Sequence, residues 1–124
     1  MGFFDRKAEE LAVKLIAQFT GQFVTPLACV PCEATIDANW RGYCVLTEDA
    51  LFLVNKYGAR GVEYENIGGT NSWGQYPHGT KGYPNYRFGF RFLQDPRGFT
   101  IFSRTSTGGK ILEDFLNKKY QIIE

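Results

Sequence analysis

Three cysteines and one histidine carry the most specific chemistry available to this chain: Cys29-Val-Pro-Cys32, Cys44 and His78. A Cys-x-x-Cys pair joined by a third Cys and a His is, on paper, a tetrahedral zinc set. The same pair opening a helix would be a redox dithiol, because the helix dipole lowers a thiol pKa. The context fits neither well. Zinc ribbons pair two such motifs, whereas this single motif precedes a strand-like segment. Cys44 falls inside another strand-like run, where a free Cys behaves as a small hydrophobe. The expectation is three structural thiols, with no metal and no cofactor. Their odd number argues against a secreted disulfide framework.

Catalytic constellations do not assemble from the remaining residues. His78 lies in a Gly/Pro loop with no Ser or Cys beside it in a nucleophile setting. Glu48 and Asp49 share a tight turn, Glu63 and Glu65 flank Tyr64, and nothing sets two of these carboxylates apart in pKa. Ser106-Thr107-Gly108-Gly109-Lys110 has the flavour of a phosphate loop without its spacing: Arg104 and Ile111 occupy the wrong places. Its free N–H groups could hold an anion, but a plain, flexible helix cap is the favoured reading. The chain is read as a non-enzyme.

Two surface features fit binding. Trp73, Tyr76, His78, Lys81 and Tyr83 fall in the long stretch Trp73–Tyr86, and Tyr and Trp bury large area at contact surfaces with few rotors. Arg87 and Arg91 alternate with the aromatics of the next strand and form an outward row, joined by Arg104, that suits phosphate or carboxylate.

The elements that position these residues follow from periodicity. Phe4, Ala8, Leu11, Ala12, Leu15, Ile16 and Phe19 recur at helical spacing, and Gly21 stops that helix. Short strands follow: Glu33–Ala38, Tyr43–Thr47, Ala50–Asn55, Val62–Tyr64 and one within Ile67–Trp73. Asn39–Gly42 and Tyr57–Gly61 read as turns. The run Leu51-Phe52-Leu53-Val54 predicts burial on both faces. Tyr86, Phe88, Phe90 and Phe92 alternate with Arg87, Gly89 and Arg91 in the clearest strand, and Asp95-Pro96-Arg97-Gly98 turns it into Phe99–Ser103. A final helix, capped by Ser106 or Thr107, presents Ile111, Leu112, Phe115 and Leu116 on one face. The chain divides into an N-terminal amphipathic helix, 1–20, and a domain, 21–124. That helix has a charge-balanced polar face and is expected to drive self-association or partner docking.

Gly42-Tyr43-Cys44-Val45-Leu46-Thr47, Ala50-Leu51-Phe52-Leu53-Val54 and Val62-Glu63-Tyr64-Glu65-Asn66-Ile67 resemble the core of the GRAM and bacterial pleckstrin-homology-like domains. The resemblance covers about Leu27–Asn117. It implies a mainly β (α+β) fold: a bent antiparallel sheet or barrel of about seven strands with a C-terminal capping helix. Lipid-binding members use basic residues in the first hairpin, where this chain offers Arg41.

Eleven Phe, seven Tyr and fourteen Gly in 124 residues suit such a strand-and-turn protein. A formal net charge of +1 supplies no global field for nucleic acid or an anionic membrane, so any electrostatic site must be local. No apolar run is long enough to span a bilayer, and charges at Asp5, Arg6, Lys7, Glu9 and Glu10 interrupt any signal peptide. The chain is therefore read as a cytoplasmic, non-enzymatic binding or adaptor module. It works through protein contacts, with self-association as one mode. The alternatives are a membrane phospholipid-binding pleckstrin-homology-like domain and a small zinc-binding protein.

Overall fold

The computed structural model describes residues 6–35, 39–75, 86–92, 98–103 and 105–120; for 68–75, for 86–92 outside Phe88, and for 106 and 120 it describes the backbone alone. The elements run α1 (Arg6–Thr20), β1 (Ala28–Ala34), β2 (Trp40–Leu46), β3 (Ala50–Asn55), β4 (Gly58–Glu63), a 3-10 turn (Tyr64–Asn66), β5 (Ile67–Gln75), β6 (Tyr86–Phe92), β7 (Phe99–Ser103) and α2 (Ser106–Tyr120). The chain is a mixed α+β protein: its described residues form one curled antiparallel sheet and two α-helices. Its strand order is β4-β3-β2-β1-β7-β6-β5, two meanders joined through β1 and β7. The join is short, Glu33 opposite Phe102 and Ala34 opposite Ile101. Thr35 extends it, its N–H donating to the Thr100 carbonyl and its Oγ1 accepting from the Thr100 N–H.

Two apolar layers lie on the two faces of the first meander. The inner one gathers Val30, Cys32, Cys44, Leu46, Leu51, Leu53 and Phe88 with Leu112 and Leu116 of α2. Ile111 and Phe115 pack against it, as the helical spacing predicts. The outer layer gathers Cys29, Val45, Phe52 and Val54 with Ala12 and Ile16 of α1. Strand β3 is accordingly buried on both faces along Ala50–Val54. The expectation that α1 works away from the domain is thereby corrected. The helix covers the outer face of its own sheet.

One strand's bounds and two turn readings are corrected as well. Strand β1 begins at Ala28, includes the Cys-x-x-Cys motif and ends at Ala34. Trp40–Gly42 belong to β2, paired with Ala34–Cys32. Gly58–Gly61 belong to β4, paired with Asn55–Phe52. Glycine misled in both places because it serves close approach there, not a turn. A Cβ on Gly61 would stand 2.6 Å from Cε2 of Phe52. One on Gly42 would strike the Val54 carbonyl oxygen and come within 2.8 Å of Cη2 of Trp40.

The turn between β2 and β3 is held by Thr47. Its Oγ1 donates to the Ala50 carbonyl at 2.8 Å and accepts from the Ala50 N–H at 3.1 Å. Its own carbonyl accepts the Tyr64 hydroxyl at 3.0 Å, which ties that turn to the 3-10 turn.

Candidate functional site

The three cysteines do not meet on one face of the sheet. Residues three apart on a strand point to opposite faces, and Cys29 accordingly joins the outer layer while Cys32 and Cys44 join the inner one. A single ion cannot be reached from both sides of a sheet. All three thiols are buried. Burial, then the neighbouring Cys44, Cys29 and Glu33, pushes the Cys32 thiol well above its ordinary pKa. Burial, then Cys29, does the same to Cys44. Protonated, desolvated thiols are poor nucleophiles and poor ligands.

The Gly-rich start of α2 also has a structural account. Its cap is Thr105, not Ser106 or Thr107: Thr105 Oγ1 accepts the Gly108 N–H at 3.0 Å. The Thr105 carbonyl accepts the Gly109 N–H at 2.9 Å and the Ser103 hydroxyl at 3.1 Å. Gly108 is glycine because the helix meets the sheet there; an added Cβ would lie 2.8 Å from Cγ1 of Val30.

Of the aromatic and arginine candidates, Trp73 stands on β5 opposite Phe88. On β6, Arg87 stands opposite Gly74 and Phe102, and Arg91 opposite Gly69. Tyr76, His78, Lys81 and Tyr83 lie outside the described residues, as does Arg104.

A different concave surface is built where the β3–β4 turn meets α1. It is an open cleft of about 840 Å³ between Leu11 and Leu15 of the helix and the strand ends carrying Trp40, Tyr43, Lys56–Tyr57 and Arg60. Asn55 shapes it. Its Nδ2 donates to the Arg41 carbonyl at 3.1 Å, and its Oδ1 accepts the Tyr57 N–H at 2.9 Å, so the turn is braced against β2. Tyr57 is thereby held out with 80% of its surface exposed. Lys56 Nζ lies 5.1 Å from the Tyr57 ring centroid, a cation–π placement.

The cleft is cationic. Arg41, Lys56 and Arg60 line it, and among the described residues no Asp or Glu does. Arg41 lies 4.0 Å from Glu33 across the β1–β2 pair, a solvated contact of little strength. Arg60 has no ion-pair partner among the described residues. The lining wraps the end of the sheet, Tyr43 packing with Leu15 on the outer layer and Trp40 on the inner one, with Arg60 paired to the inner-layer Leu53. Aromatic rings and cations so placed can bind carboxylates or phosphates attached to an apolar body.

Sequence reasoning met Arg41 alone at this end of the molecule, because Tyr57 and Arg60 stood in a segment read as a turn. The alternation Trp40, Arg41, Tyr43 within a strand, with Lys56-Tyr57 in the next turn, was the available signal. No family model matches the chain, and no curated protein and no solved structure matches it either.

Proposed function

We propose that this chain is a cytoplasmic, non-enzymatic binding module of pleckstrin-homology-like architecture that engages protein partners through the cleft between α1 and the β2–β4 end. The observation that carries the proposal is the composition of that cleft: Trp40, Tyr43 and Tyr57 beside Arg41, Lys56 and Arg60, with no acidic residue among its described lining. Tyr, Trp and Arg are the residues that dominate binding energy at protein interfaces. Two antiparallel meanders joined through their first and last strands, with α2 seated over the inner layer, support the pleckstrin-homology-like part of the reading. Among the described residues no helix is long and apolar enough to cross a membrane.

A phospholipid headgroup is the rival occupant, since the same three cations would serve it. The test is affinity capture from extracts of the native host, comparing the unaltered protein with Arg60→Glu, Tyr57→Ser and, as a control on α2, Lys118→Glu. A protein retained by the unaltered chain and the control, and lost with both cleft variants, is the expected result. Capture of nothing that depends on Arg60 overturns the reading. Co-sedimentation with phosphoinositide vesicles that Arg60→Glu abolishes puts the lipid reading in its place.

A further inference from the structure

The cationic cleft has an acidic counterpart at the other end of α1. That end begins with a fixed exit from the helix. Gly21 takes φ 77°, and its N–H donates to the Ala17 carbonyl at 2.9 Å. Thr20 Oγ1 donates to the Ile16 carbonyl at 2.6 Å and accepts the Gln22 N–H at 3.1 Å. Phe23, next in the chain, stands 90% exposed. A large apolar side chain left in water on a braced segment is an anchor without a pocket.

Beside Phe23 lies a recess of about 580 Å³ whose lining includes Glu48, Asp49 and Glu63 and, among the described residues, no Lys or Arg. None of these three carboxylates has an ion-pair partner among the described residues. Lys119 approaches, but its Nζ donates at 2.6 Å to the carbonyl of Glu48 and lies over the Tyr64 ring. The last turn of α1 carries no basic residue, so the negative end of its dipole adds to the same field. Among its described residues, this chain of net charge +1 thus has a cationic, concave, apolar-floored pole and an acidic pole with a projecting Phe.

We propose that the two poles recognise each other between copies of this chain. Phe23 of one copy enters the cleft floored by Leu11, Leu15 and Tyr43 of the next, and Glu48, Asp49 and Glu63 face Arg41, Lys56 and Arg60. This deepens the proposed function, resting on its cleft and naming a second copy as one occupant. The two surfaces differ, so the contact is heterologous and builds open head-to-tail chains, not closed dimers. The charges are exposed, so the association weakens as salt rises.

Sedimentation velocity on the purified full chain, from micromolar to millimolar concentration, tests it. The expected result is a weight-average mass that climbs with concentration above one chain and falls back at high salt. Phe23→Ser, the cleft variant Lys56→Glu/Arg60→Glu and the pole variant Glu48→Lys/Asp49→Lys should each stay at one chain. All these positions are exposed, and circular dichroism checks that each variant is folded. Mixing the cleft variant with the pole variant should restore association, because each copy then meets a complementary surface on the other. Two results overturn the proposal: an unaltered chain that keeps its one-chain mass throughout, or association that the charge variants leave unchanged. If that happens while affinity capture still yields an Arg60-dependent partner, self-docking fails and the binding-module reading stands. If capture fails too, both fall.

Discussion

Ile16 of α1 and Phe52 of β3 belong to one buried cluster, with Val45 and Val54 between the helix and the rest of the sheet. The helix is therefore a wall of the domain and also one bank of the cleft. Removing residues 1–20 would open Val45, Phe52 and Val54 to water. Burial of each such side chain is worth about 1.5–3 kcal/mol, against a typical domain stability of about 5–15 kcal/mol. The truncated chain should lose cooperative thermal unfolding or aggregate. The milder Ile16→Ala should cost about 2–5 kcal/mol in urea denaturation. A truncated chain that melts like the full one would show that α1 is not part of the core.

Much of this was legible in the residues. Tyr86–Phe92, Phe99–Ser103 and Ala50–Asn55 stand where periodicity puts them, and Phe88 is buried as its alternation demands. The run Leu51-Phe52-Leu53-Val54 even announced a second covered face. What a one-dimensional pattern could not say is which element covers it, because an amphipathic stripe reads the same whether it meets its own sheet or another molecule. Composition misled at Gly42 and Gly61, where glycine marks a close approach and its usual turn meaning fails. The cleft was hidden for the same reason: its cations come from two hairpin ends that only strand register brings together.

The thiols make a prediction about pH. Unfolded cysteines ionise near pH 8.5, whereas burial holds Cys32 and Cys44 protonated well beyond that. Between those limits the folded chain keeps protons that the unfolded chain has released, so stability falls as pH rises above about 8.5. The drop in urea midpoint from about pH 7.5 to about pH 9.5 should shrink in Cys32→Ala/Cys44→Ala. An equal drop in both proteins would mean that these thiols ionise alike in the folded and unfolded states.

The placement of Cys29 on the opposite face from Cys32 and Cys44 predicts no stoichiometric zinc in the purified protein. Elemental analysis is the check. About one zinc per chain, lost with Cys29→Ala and equally with Cys32→Ala, would require ligands that this fold keeps on opposite faces.

Glycine positions should separate by what surrounds them. Gly108→Ala puts a Cβ within 2.8 Å of Val30 and Thr105 side-chain atoms, and overpacking of that kind costs about 1–3 kcal/mol. Gly58→Ala meets nothing within 4 Å and should be neutral or slightly stabilising. Thermal midpoints of the two variants, measured side by side, decide the matter; equal effects would contradict the close seat of α2 on β1.

Thr47→Val keeps the shape of the β2–β3 turn residue and deletes the hydroxyl that serves both the Ala50 carbonyl and the Ala50 N–H. The buried groups left without it should cost about 1–3 kcal/mol in denaturant unfolding. A loss below about 0.5 kcal/mol would mean that the turn holds without the hydroxyl.

The central claim is that the cleft between α1 and the β2–β4 end is where this protein meets other proteins. Photocrosslinking in cells of the native host tests it most directly, with p-benzoylphenylalanine replacing Tyr57 on the turn that lines the cleft. A control chain carries the same group at Lys118, on the exposed side of α2. The account predicts discrete protein adducts from position 57 that disappear with Arg60→Glu and are absent from position 118. Adducts equal at both positions, or lipid adducts alone from position 57, would contradict it.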